Sequence, residues 1–219
     1  DSTDTAPTGF LASGSGNWSY SAGTKYDENT LFVYYNTKLN LLFQSEFNHL
    51  WGNSRDLMVN QDLVSFETIP IDEAWIPEDG SVDAYFASAN FDSYVSSTYG
   101  PTFSVMAGEN QVADKWVQMI EDAQESIHVA SGHLRSRPIS EALLAKHQAA
   151  PLVDIRVYLD GQEYTSQWTH NKQIEELETC LTEASGSTSR SQKCLDVGFR
   201  FAYALHLAGI PVRFKHYAY

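Results

Sequence analysis

The chain alternates short apolar runs with longer stretches in which apolar residues recur every three or four positions. Leu31-Phe32-Val33-Tyr34-Tyr35 has strand character, and Leu39, Leu42, Phe43, Phe47, Leu50 and Trp51 follow at the spacing of one helix face. That helix is predicted to open at Asn36 or Thr37 and to end near Gly52. Residues 53–81 carry Asn, Asp, Pro and Gly without a sustained period and read as a connection between two halves. Beyond them, Asp83–Ala89 and Thr102–Met106 read as short strands, and Val112, Trp116, Met119, Ile120 and Ala123 mark a second helix.

From residue 127 the alternation becomes regular. Ile127–Ala130 is a predicted strand, Pro138 opens a helix running to about Ala149, and Val153–Leu159 is a strand stopped by Asp160-Gly161. Helices are expected over Ser166–Ala184 and Cys194–Ala208, the second closed by Gly209, before a last strand at Ile210–Phe214. Strands that alternate with helices predict an α/β fold with a mostly parallel sheet covered by helices on both faces. No internal repeat is visible.

Composition narrows the class. With 42% apolar and 19% charged residues, the 219-residue chain can bury a core, and no apolar run approaches the roughly 20 residues of a membrane span. The formal net charge of −14 opposes tight non-specific binding to nucleic acid and to anionic membranes, while a locally basic cleft could still take one phosphodiester. Asp1-Ser2-Thr3-Asp4 has neither the basic start nor the apolar run of a signal peptide. The two cysteines, Cys180 and Cys194, flank the hydrophilic loop Ala184–Ser191; they could be separate buried thiols, but the loop favours pairing, which fits an extracytoplasmic or secreted protein.

The most informative stretch for chemistry is Gly14-Ser15-Gly16-Asn17, followed by Tyr26-Asp27-Glu28-Asn29 and the strand at Leu31. Two glycines allow a tight turn after a strand, and a serine hydroxyl with an asparagine amide supplies small polar donors of the kind that hold an oxyanion without a metal. In this order the residues resemble the phospholipase D superfamily signature, HxKxxxxD followed by GSxN and, about eleven residues on, a glutamate opening a strand. Gly14–Asn17 matches GSxN, Glu28 lies eleven residues after Asn17, and the strand and helix ending in Phe47-Asn48-His49-Leu50-Trp51 match the sequel. Ile155–Asp160 and Ala208–Arg213 look like the stretch that leads to the family's second HxK motif. Neither HxK motif stands at its expected place. The chain looks like a segment lying between the two, with Asp1 as the aspartate that ends the first and Ser2–Thr8 as an inserted loop.

The resemblance implies a phospholipase D-like α-β-α sandwich of two pseudo-symmetric lobes: residues 1–52 as the later part of the first, 53–81 as the connection, and 82–219 as the earlier part of the second. It implies a metal-independent phosphodiesterase or phosphatidyltransferase working through a phosphohistidine, without a cofactor, and inactive as this segment alone. The substrate is expected to be a phospholipid. Ser15, Gly16 and Asn17 would bind the phosphate, Glu28 would orient a histidine of one motif, and Asp1 would fix its own motif. The alternatives are a non-catalytic module that binds a phosphate ligand or a protein, and an endonuclease of the same family.

Other groups carry weaker signals. His170-Asn171-Lys172 has the HxK spacing, but Leu177 stands where an aspartate is needed, and a solvated helix face is expected. His128, His133, Arg135 and Arg137 surround the turn after Val129-Ala130-Ser131-Gly132, which is either a plain polar turn or a contact for a phosphate or head group. His49, His147, His206 and His216 read as ordinary helix or strand histidines, His206 packed with its polar tip satisfied. Asp72, Glu73, Glu78, Asp79 and Asp83 form an acidic cluster without EF-hand spacing and read as a solvated linker.

Overall fold

The computed structural model describes residues 9–15, 29–54, 69–98, 100–106, 109–195 and 197–216. The chain divides into two compact units, Asp1–Gln111 and Val112–Tyr219, so that residues 69–81 of the expected connection belong to the first. Among the described residues it is mixed α/β, with one parallel three-stranded sheet and two antiparallel strand pairs.

In the first unit, β1 (Phe10–Gly14) pairs antiparallel with β2 (Thr30–Tyr34), and α1 (Thr37–Gly52) follows. The helix starts where the sequence predicts because the Asn36 side chain accepts from Leu39 N at 2.9 Å, satisfying an amide that the first turn leaves open. Tyr35, between strand and helix, takes a positive φ of 58°. Leu39 and Leu41 are buried, whereas Phe47, Leu50 and Trp51, expected on the packed face, are exposed. β3 (Phe91–Ser96) pairs antiparallel with β4 (Gly100–Val105). A connection of three residues cannot make the crossover that parallel pairing requires, so the two strands form an antiparallel ribbon. The strand expected over 83–89 is instead an irregular approach to a 3₁₀ turn at Ala87–Asn90, and β3 begins after it.

The second unit runs α2 (Gln111–Asp122, whose first residue belongs to the first unit), β5 (Ser126–Ser131), α3 (Arg137–Ala149), β6 (Asp154–Leu159), α4 (Gln167–Glu183), α5 (Thr188–Leu195), α6 (Ala202–Leu207) and β7 (Val212–Phe214). β6 is the central strand, parallel to β5 and β7. Ile155, Val157 and Leu159 point into a core completed by Ile120, Leu143, Ala202, Leu205 and Ile210. Burying each large aliphatic side chain there stabilises the unit by about 1.5–3 kcal/mol. His128, Arg156 and Tyr158 lie on the opposite face and are exposed. This sheet therefore buries one face, where helices on both were expected. The apolar–polar alternation of β6 is what a half-buried strand carries.

Two helix boundaries differ from expectation. The serine-rich segment is helical from Thr188, with Ser191 N bonded to Ser187 O at 3.0 Å, and the single helix expected over Cys194–Ala208 is interrupted between Leu195 and Ala202. Gly209 closes α6 with φ 92°, a conformation glycine adopts at little cost. Cys180 on α4 and Cys194 on α5 lie at disulfide distance, with their Cα atoms 5.8 Å apart. Among the described residues no helix is long and apolar enough to cross a membrane.

Candidate functional site

Of the residues assigned to phosphate chemistry, Ser15 is described; Asp1, Gly16, Asn17 and Glu28 lie outside the described residues. Ser15 sits where the β1–β2 hairpin closes. Its Oγ accepts from Asn29 N at 3.2 Å, and its own N donates to Asn29 O at 3.0 Å. Gly14 is required there, because a Cβ at that position would collide with the Asn29 carbonyl. The two residues joined by these bonds thus flank, in sequence, the segment 16–28 that carries Asn17 and Glu28. A cavity of about 610 Å³ in the same unit is lined by Phe10, Leu11, Phe43, Phe47, Leu50 and Phe86, among others.

Within the acidic cluster, Lys38 engages one carboxylate and two backbone carbonyls. Lys38 Nζ donates to Asp79 O at 2.6 Å and Val82 O at 3.0 Å, and stands 3.7 Å from Asp83 Oδ1. The hydrogen bond from Ser81 holds the Asp79 carboxyl below the usual range. Among the described residues no three His, Cys, Asp or Glu side chains gather as a metal site would need.

In the second unit a polar cluster forms at the carboxyl ends of β5 and β6, the end of a parallel sheet at which α/β proteins bind ligands. Residues 133–135 leave β5 with Leu134 buried in the core, and His133 and Arg135 both turn to Glu163, on the 3₁₀ turn after β6. His133 Nδ1 lies 2.7 Å from Glu163 Oε1, and Arg135 donates to the same oxygen from Nε at 3.0 Å and Nη2 at 2.7 Å. The Glu163 side chain is 1% exposed, against 58% for His133 and 41% for Arg135. Burial alone would raise the Glu163 pKa, but the bonds from Arg135 and His133 outweigh it and hold the carboxyl below its usual range. The carboxylate in turn raises the Arg135 pKa.

The structure separates the other histidines from this cluster. His128 Nε2 lies 3.2 Å from Asp154 Oδ2, which also takes Arg156, on the exposed face of the sheet. Arg137 extends over the Phe199 and Phe201 rings and bonds Glu141 at 3.2 Å. His170, expected on a solvated face, is buried against Phe199 and Tyr203, and its pKa is lowered by that burial. Lys172, two residues on, faces away and pairs with Glu176 and the Trp168 ring, since residues two apart on a helix do not share a face. His206 is exposed beside Tyr203, where a packed side chain was expected.

Sequence reasoning singled out His133 and Arg135 but missed Glu163. The one signal for it was its place four residues past the end of a strand, in the turn opened by Asp160-Gly161. Charge is also unevenly divided: residues 1–111 hold three Lys and Arg against 15 Asp and Glu, residues 112–219 hold 11 against 13. Neither a family model, a curated protein nor a solved structure matches the chain.

Proposed function

We propose that the chain is part of a phospholipase D-like phosphodiesterase or phosphatidyltransferase that acts on phospholipids through a phosphohistidine. The observation that carries this reading is the closed hairpin at Ser15 and Asn29, which joins the ends of the segment bearing Asn17 and Glu28. The apolar cavity beside α1 favours a substrate with a hydrocarbon part. The Cys180–Cys194 pair favours an extracytoplasmic setting.

The attacking and proton-donating histidines belong to HxK motifs that we place outside these 219 residues. Attack on phosphorus by one histidine splits the displacement into two easier steps, and the second histidine protonates the leaving alcohol. The test uses the protein with its native flanking sequence. Brief reaction with a phospholipid labelled at phosphorus, followed by alkaline quench, is expected to leave acid-labile, base-stable label on histidine. Turnover of phospholipid with no such label would overturn the mechanism. If the flanking sequence carries no HxK pair, a non-catalytic phosphate-binding module replaces the enzyme.

A further inference from the structure

We propose that His133 and Arg135 form an anion site in the second unit that takes a single phosphate group, with Glu163 as the buried anchor that sets both side chains. The site stands independently of the phosphodiester reading, which rests on residues 14–29.

Two bonds of 2.7 Å to one oxygen keep His133 Nδ1 and Arg135 Nη2 within 5.4 Å of each other, so the two side chains meet at the Glu163 carboxylate. Leu134, buried between them in sequence, fixes the alternation that turns both the same way. An ionised Glu163 can only accept, so the Nδ1 of His133 carries the hydrogen and Nε2 is the atom left for a ligand. Arg135 uses Nε and Nη2 on the carboxylate, and Nη1 has no partner among the described residues. Glu163 Oε2 is buried without a partner, while Oε1 takes all three donors.

Charge points the same way. The charged groups against His133 are Glu163, from the turn after β6, and Arg135, from its own loop; Arg137 at the start of α3 is engaged with Glu141. Glu163 and Arg135 cancel, so the pair presents no net negative charge to an anion. Two donors on a planar guanidinium edge and an imidazolium suit a tetrahedral oxyanion.

The test follows His133 in the full chain, labelled with ¹⁵N-histidine at pH 6, while inorganic phosphate or the soluble phosphodiester glycerophosphocholine is added. The Nε2 resonance is expected to shift with saturation while Nδ1 keeps its hydrogen. Arg135→Gln and His133→Gln are each expected to weaken binding about tenfold or more. Arg135→Lys, which keeps the charge and loses the fork, should fall between and serves if the glutamine variant does not fold. Binding of inorganic phosphate alone identifies a free phosphate or monoester site, and binding of both probes identifies a head-group site; either supports the proposal. No shift with either probe, or equal binding in folded variants and the parent chain, would overturn it.

Discussion

Ser15 and Asn29 exchange two hydrogen bonds, one from each backbone amide, and so fasten the mouth of the first hairpin. Ser15→Ala removes the side-chain acceptor and leaves the backbone bond. The expected loss is about 1 kcal/mol in the unfolding free energy, read as a lower urea midpoint with unchanged slope. An unchanged midpoint would deny the hydroxyl its closing role.

Gly14→Ala is expected to cost more, because its methyl group would enter the space of the Asn29 carbonyl and both neighbours are backbone. Spreading the hairpin should cost about 2 kcal/mol or more and loosen the Ser15–Asn29 bonds. Amide hydrogen exchange at Asn29, slow in the parent and faster in the variant, is the direct measure.

For the proposed enzyme, Asn17→Ala and Glu28→Gln in the protein with its native flanks are each expected to lower turnover about a hundredfold or more while leaving thermal unfolding within a degree or two. Near-normal turnover in either variant would remove that residue from the phosphate site.

Glu163 makes the second unit sensitive to acid. Its pKa in the folded chain lies below that of the unfolded chain, so its contribution is fully present above the ordinary glutamate range and is lost as pH falls through the lowered folded value. Glu163→Gln should therefore cost about 1–3 kcal/mol at pH 7 and flatten the fall in stability as pH drops below the ordinary glutamate range. Parallel acid-unfolding curves for parent and variant would contradict this.

The Cys180–Cys194 pair closes a loop of about 15 residues, and the chain-entropy account gives it roughly 3 kcal/mol. Reductant is expected to lower the unfolding temperature of the parent and to leave a double Cys→Ala variant unmoved. Equal response of both would show that the thiols are not joined.

Much of the second unit was legible because its signals are local: β6 ends at Asp160-Gly161, Ser166 caps α4 with a bond to Thr169 N, and Gly209 closes α6. The first α-helix was legible for the same reason, through Asn36. What sequence missed depends on contacts distant in the chain. The period of α1 named Leu39, which is buried, but it also named Phe47, Leu50 and Trp51, which are exposed, and it passed over Leu41, which is fully buried, because which face is covered depends on neighbours that periodicity does not name. The break between α5 and α6 places Phe199 and Phe201 beneath Arg137, a long-range contact without a local signal. Glu163 looked like any turn glutamate until the fold set His133 and Arg135 over it.

The half-buried parallel sheet also sets how the sequence may drift. Positions 127, 129, 155, 157 and 159 face the core and admit only apolar residues of similar volume, whereas 128, 156 and 158 face outward and accept wide replacement. A saturation scan of β5 and β6 scored for folding should therefore show tolerance with a period of two, and that record would carry the pleat of the sheet in a form readable without coordinates.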